Sequence, residues 1–381
     1  MDSDGAVIVW FAGVRWDAIM GTDRRIVNEI AEHRPIVWVD PADRSGWPGW
    51  MRGGPPAVTA LGDVTRFVVP ATPGLTRWPF RSATRLLRML SYRRAIRGRD
   101  VHAVVVANPT TTLPRTKATR ILYVTDDWVA GASLMGLDRT WVSAILDRNV
   151  GLADAFAVVS PPLAQAIRDR RPSAPIAVIP NGAPAATRVS PSFRAPTAGL
   201  IGQINERIDL SLLEATADAG VALRIVGPRT SRDGAFNARF DRLVARETVD
   251  WRGAVEAQEI PVHLSEISVG LTPYTQTRFN RASSPLKTLE YLAAGVPVVS
   301  SDLPASRWLN TDDVIIGADS AEFVAAVRAA IRAGNGDGAE ARRRHFADQH
   351  SWRRRAFEML ALIEAGGRTR AAPDRTEHDD H

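Results

Sequence analysis

Three groups of residues in this chain have the types and spacing to do chemistry. Lys287 and Glu290 stand three apart, on one side of a helix. Ser283-Ser284-Pro285 precede them, with Ser284 expected as N-cap and Pro285 at the first helical position, where its missing N–H costs nothing. A helix start offers unpaired N–H groups and a partial positive charge. Amides over Ser283, Ser284 and Leu286, then an ammonium, then a carboxylate, suit a nucleoside diphosphate, with phosphates at the helix tip and ribose hydroxyls on Glu290. An ordinary capped helix with one surface Lys–Glu pair fits the same spacing. In the second group, Asp126-Asp127-Trp128 follow an apolar run and could form an acid/base or sugar-binding pair; a helix cap with a solvated neighbour is the alternative. The third is Trp16-Asp17, in the loop after the first apolar run, which could contact a sugar or simply pack the loop.

Composition singles out Lys287. Of 48 basic residues only Lys117 and Lys287 are lysine. A compact ammonium delivers a point charge where arginine delivers a wide fork, so a lysine at a helix start in so arginine-rich a chain points to a phosphate.

The elements that position these residues follow from hydrophobic periodicity. Apolar runs at 6–12 and 35–40 flank a helical pattern at 22–33, and the same rhythm recurs along the chain. Strand–helix–strand repetition implies parallel, doubly wound sheets, which bind ligands at the carboxyl ends of their strands. No G-x-G-x-x-G follows the first strand, which argues against a nicotinamide enzyme. Residues 41–64 read as an irregular loop, and 77–99 as a basic helix. The expected organisation is a first domain over 1–182 and a linker over 183–196, where Pro184, Pro191 and Pro196 fall. A second domain over 197–350 follows, then a final helix over 351–366 crossing back to the first domain. Gly366-Gly367 should end that helix and leave a disordered tail over 367–381. Gly202 and Gly227 end strands of the second domain.

With 381 residues, two domains are the natural size. Cysteine is absent, which excludes disulfides and thiolate metal sites and fits a reducing compartment. The acidic N-terminus (Asp2, Asp4) and the short apolar run 6–14 do not make a signal peptide or a membrane span, so a cytoplasmic protein is expected. The net charge of +6 is uneven: 77–99 holds eight arginines and no acid, interleaved with Trp78, Phe80, Leu86, Leu87, Met89, Leu90 and Tyr92. Such a helix could rest on the anionic inner face of a membrane or be a domain helix with a solvated arginine face. No nucleic-acid-binding motif accompanies the charge, so no nucleic-acid partner is expected.

Residues 287–299, KTLEYLAAGVPVV, resemble the donor-binding segment of the GT-B-fold glycosyltransferases of family 4, the group 1 glycosyltransferases. That family usually carries two glutamates eight residues apart. Glu290 matches the second, and the first falls on Ala282. Residues 279–285 resemble the Asn-rich or Ser-Pro loop of some bacterial cell-wall and exopolysaccharide members. Tyr123 to Trp128 resembles the cell-surface polysaccharide branch; 154–163, 176–182, 221–228 and 249–253 resemble further family segments. The resemblance implies an α/β chain of GT-B type, two Rossmann-like doubly wound domains with an interdomain cleft. It implies retaining, metal-independent transfer of a hexose-type sugar from a nucleotide diphosphate sugar to a hydroxyl of a glycan or lipid-linked acceptor, with no cofactor beyond that donor. In the family the glycine-rich turn after 198–202 supplies an arginine for the diphosphate; Gln203 stands where it is common, which leaves Arg207. Asp126 or Asp127, with Trp16 and Asp17, would then face the acceptor. A non-catalytic partner protein of the same fold, a sugar-nucleotide epimerase, and a membrane- or nucleic-acid-binding module driven by 77–99 remain as rival readings.

Overall fold

The apolar runs become strands. Val7–Phe11 (β1) and Ile36–Val39 (β2) are buried at every position, the condition of a parallel sheet covered on both faces. The computed structural model describes residues 5–18, 20–44, 47, 51, 57–59, 63–72, 74, 79–185, 194–334, 336 and 338–371. It divides into two units, 1–180 together with 352–381, and 181–351.

In the first unit, Ala57–Thr59 (β3), Val64–Phe67 (β4), Val101–Val106 (β5), Thr119–Val124 (β6), Ala155–Val158 (β7) and Ile176–Val178 (β8) join β1 and β2. Their order is β3-β4-β2-β1-β5-β6-β7-β8. Every pairing is parallel except β3 on β4. The chain leaves β1 for β2 on one side and returns to β5 on the other, so the order reverses between β1 and β5. In the second unit, Thr197–Ile201 (β9), Ala222–Val226 (β10), Val249–Trp251 (β11), Val269–Thr272 (β12), Val298–Ser301 (β13) and Val314–Gly317 (β14) form a wholly parallel sheet in the order β11-β10-β9-β12-β13-β14. Here the reversal lies between β9 and β12. Strands on either side of a reversal send their connections to opposite faces, which opens a crevice at their carboxyl ends.

The structure differs from the sequence expectations in three places. Within 41–64, expected to be irregular, Ala57–Thr59 forms the antiparallel edge strand. The last helix, Trp352–Ala371, belongs to the first unit and continues past Gly366-Gly367. A Cβ on Gly366 would lie 3.0 Å from Thr119 Cγ2, so these glycines permit the helix to approach β6 rather than ending it. The tail expected over 367–381 is therefore helical to Ala371, and 372–381 lie outside the described residues. Of the expected linker, residues 183–185 and 194–196 fall in the second unit and 186–193 lie outside the described residues.

Candidate functional site

The carboxyl end of β9 is built around two glycines. Gly202 (φ 155°) and Gly227 (φ 139°) occupy backbone conformations that side chains rarely adopt. A Cβ on Gly227 would lie 1.9 Å from Gly202 O, and one on Gly202 would lie 3.2 Å from Lys287 Cε. The strand end is thus bare, and the Lys287 side chain runs across it.

Lys287 comes from the helix Leu286–Ala293, which buries Thr288, Leu289, Tyr291, Leu292 and Ala293. Tyr291 anchors this helix on β9: its Oη accepts from Ile201 N at 2.8 Å and donates to Gly199 O at 3.2 Å. A Cβ on Gly270 would overlap the Tyr291 ring, so β12 is cut back to admit it. Lys287 Nζ donates to Glu290 Oε2 at 2.7 Å, and both side chains keep partial exposure. The capping expectation needs correction. The N-cap position is Pro285, without a side-chain cap, and Ser284 Oγ instead accepts from Asn181 N at 2.9 Å. Two of the expected amides also turn inward: Ser283 N donates to Asn280 O at 3.1 Å and Leu286 N to Ser284 O at 2.8 Å. A cation that a glutamate can release, rather than a bare rank of N–H groups, is what this helix start presents.

Arg207 arrives from the turn after β9. That turn is pinned on two sides. Glu206 accepts from Arg232 N and Asp233 N, each at 3.1 Å, and from Ser231 Oγ. Arg207 O accepts from Thr275 N at 2.9 Å, beyond β12. The guanidinium lies over the rings of Tyr274 and Phe279, with centroids 5.3 and 4.8 Å away. Its Nε donates to Asn280 Oδ1 at 2.9 Å, and its Nη2 to Ser283 Oγ at 3.3 Å. Arg207 and Lys287 therefore flank the same loop, 280–287, at the reversal between β9 and β12.

The sequence-predicted residues of the first unit are engaged differently. Trp16 is buried, edge-on to Trp38 at 5.0 Å and beneath Arg24 at 4.8 Å. Asp17 pairs with Arg15 and with Arg66, at 2.7 and 3.2 Å; the hydrogen bond from Arg15 is the main cause that holds its carboxyl down, at about 2. The buried Asp40 ties this loop to the sheet by accepting from Trp16 N, Trp38 Nε1 and Arg66 Nε. Asp127 is buried, and its Oδ1 accepts from Ala130 N at 3.0 Å, closing the turn after β6. Asp126, beside it, is half-buried. The reversal between β1 and β5 is occupied by a residue the motif reading did not select. Asp23 Oδ2 accepts from Gly13 N at 2.6 Å, and a Cβ on Gly13 would lie 2.8 Å from Ala107 O. Burial pushes the Asp23 carboxyl up to about 7, and nearby Asp126 adds to the rise. Across the gap Asn108 Nδ2 donates to Ala12 O at 2.8 Å.

The basic stretch forms the helix Phe80–Ala95; Arg77 and Trp78 lie outside the described residues. Thr84, Ser91, Tyr92 and Ala95 face inward, while Phe80, Leu86 and Met89 are exposed among Arg81, Arg85, Arg93 and Arg94. Arg88 points inward, donating to Thr110 O at 2.7 Å; burial lowers its pKa to about 10. Among the described residues no helix is long and apolar enough to cross a membrane.

Residues 198–333, which include Arg207, Lys287 and Glu290, match the family described as "Glycosyl transferases group 1". Most of the second unit is thus similar to a group 1 glycosyltransferase domain. A stretch of 159 residues is 28% identical to TuaH of Bacillus subtilis, whose name places it among teichuronic acid biosynthesis glycosyltransferases. The match spans 40% of this chain and 39% of that relative's length. Solved structures resemble the whole chain. The sucrose-phosphate synthase of Thermosynechococcus elongatus superimposes with a TM-score of 0.70 at 16% identity, over 94% of this chain and 98% of that one. HepE of Anabaena, solved with UDP and glucose, gives 0.64 at 12% over 94% and 100%. WaaG, a glycosyltransferase involved in lipopolysaccharide biosynthesis, gives 0.61 at 13% over 96% and 100%. At such identities the likeness establishes the fold, which is GT-B: two parallel-sheet α/β domains.

Within the second unit, sequence reasoning missed Asn280, Tyr274 and Phe279, which hold Arg207. They follow Arg207 by about seventy residues, so no local spacing connects them to it. The available signal was the position of the 273–283 loop just beyond a strand of the second sheet. Asp23 was missed because an acid in a first helical turn ordinarily reads as a dipole partner.

Proposed function

We propose that this protein is a glycosyltransferase that moves a sugar from a nucleoside diphosphate sugar to a hydroxyl of a glycan or lipid-linked acceptor, in the synthesis of a bacterial cell-surface polysaccharide. The observation that carries the reading is the convergence of Arg207 and Lys287 on the 280–287 loop at the carboxyl end of β9. Two cations at one strand end, neither placed to stabilise the sheet, suit a departing diphosphate. Charge developing on the leaving phosphate meets fixed donors, so the barrier falls without reorganisation. In this reading Lys287 leaves Glu290 for the phosphates and Glu290 accepts the ribose hydroxyls. These cations carry the role a metal ion would otherwise have, while the Ser283 and Leu286 amides, turned inward, leave the charge to Arg207 and Lys287. Gly202 and Gly227 let the diphosphate approach backbone.

On the acceptor side this reading assigns the orienting of a hydroxyl to Asp126, half-buried at the end of β6, while Asp127 shapes its turn. The teichuronic acid relative and the lipopolysaccharide enzyme support a cell-envelope acceptor. The exposed apolar and arginine residues of Phe80–Ala95 support a peripheral association with an anionic membrane. Retention at the anomeric carbon is the stereochemistry this reading takes.

A thermal-shift panel of nucleoside diphosphate sugars tests it, because a ligand of the native state raises the unfolding temperature with occupancy. At least one donor, a UDP sugar first given the HepE complex, should stabilise the wild-type chain and not Lys287→Ala. No stabilisation by any donor would rule the reading out.

A further inference from the structure

Among the described residues, every side chain that fixes Arg207 is uncharged. Asn280 is 1% exposed and uses its whole amide. Its Nδ2 donates to Arg207 O at 3.0 Å and to Thr275 O and Oγ1, both at 2.9 Å. Two carbonyl oxygens on that side settle which amide atom faces them, so the oxygen must face Arg207 Nε. Ser283 Oγ receives Nη2 and itself donates to Phe279 O at 3.0 Å. Two aromatic rings complete the seat. Lys287, five residues beyond Ala282, is held instead by a carboxylate. A carboxylate in place of Asn280 would hold a guanidinium more strongly. It would also neutralise it, and would set oxygen against two carbonyl oxygens.

We propose that Asn280 is a positioning residue for diphosphate recognition: together with Ser283 it orients Arg207 while leaving its charge for the ligand. The inference rests on the donor-site reading above and adds a division of labour to it. Lys287 is a guarded cation, released by ligand from Glu290. Arg207 is a standing cation, preorganised by neutral contacts, so the incoming phosphates need displace no carboxylate from it.

The test is calorimetric titration of the full chain with UDP and with inorganic pyrophosphate, with thermal unfolding recorded for every variant. Ser283→Asp and Ser283→Asn are nearly isosteric and differ in charge at Nη2. S283D should bind at least tenfold more weakly than S283N in the wild-type background, and the gap should close in an Arg207→Gln background, where direct repulsion of the phosphates alone would keep it open. Asn280→Ala should weaken binding about tenfold in the wild-type background and leave it unchanged in an Arg207→Gln background, because both changes remove the same contact. Equal affinities for S283D and S283N would overturn the proposal, as would an Asn280→Ala effect that persists without Arg207, the mark of a purely architectural role. If Asn280→Ala does not fold, the Ser283 pair decides. A wild-type chain that binds UDP, pyrophosphate and other nucleoside diphosphates not at all would remove the donor-site reading and this inference with it. A chain that binds but ignores the Ser283 charge removes only the inference.

Discussion

The two units carry the same kind of sheet, yet the crevices at their strand reversals are furnished in opposite ways. Around the carboxyl ends of β1, β2 and β6 in the first unit, four acids are committed to structure. Asp17 is tied to Arg15 and Arg66, Asp40 to Trp38 and Arg66, Asp127 to its own turn, and Asp23 to Gly13. Beyond β9 in the second unit, the cations lean on groups that a ligand can replace or that never neutralise them. Buried or ion-paired carboxylates make a rigid wall. Cations on neutral or exchangeable partners suit an anion. The same topology therefore gives one crevice that is mainly architecture and one that is mainly electrostatics.

If that contrast holds, substitutions beyond β1 should cost stability and those beyond β9 should cost ligand recognition. The largest effect should come from Trp16→Ala, which empties a buried indole site and should lower unfolding free energy by about 4 kcal/mol. In the folded fraction, affinity for nucleoside diphosphate should be unchanged. A variant of ordinary stability with weakened acceptor use would return Trp16 to the acceptor site. Next, Arg207→Gln should reduce kcat/KM about a hundredfold, on the order of 3 kcal/mol, with little change in unfolding temperature. Loss of stability in place of activity would make Arg207 a structural cation.

Asp23→Asn should give an effect whose size depends on pH, slight near pH 4 and growing towards pH 7. The Asp23 carboxyl is held near 7 in the folded chain, above its ordinary 3.8. Such an acid is protonated on folding at intermediate pH, so the wild type loses stability as pH rises from about 4 to about 7 and is level beyond. Denaturant titrations should show D23N gaining on the wild type across that window. A constant difference would mean the carboxyl is ionised throughout. Asp17 runs the other way: held down at about 2, it contributes above the ordinary carboxylate range and loses that contribution as pH falls towards 2. The smallest effect is Asp127→Ala, which removes a side-chain acceptor from a turn and should cost about 1 kcal/mol. A large fall in turnover without that stability loss would make Asp127 catalytic.

How far the sequence disclosed these crevices depended on whether a residue's partner was local. Alternating apolar runs identified parallel sheets because burial on both faces leaves strands uniformly hydrophobic, as in Val7–Phe11. Lys287 and Glu290 were legible because i, i+3 spacing on a helix fixes their meeting. Ser284 was misread as a cap because its hydroxyl serves Asn181, 103 positions earlier. Trp16 looked available because its partner, Trp38, sits on the neighbouring strand. Asn280 was silent for the same reason, and Gly366-Gly367 looked like a helix stop because only tertiary contact with Thr119 explains them. Periodicity encodes elements and short-range pairs, while the clamp on Arg207 exists only after β9 and β12 lie side by side.

Hydrogen exchange on the full chain, with and without saturating UDP or whichever nucleoside diphosphate binds best, addresses the contrast most directly. Protection should appear at 202–207 and 280–290, with no comparable change at 13–17 or 126–128. Protection concentrated beyond β1 and β6, with 280–290 unaffected, would contradict the assignment of the anion site to the second unit.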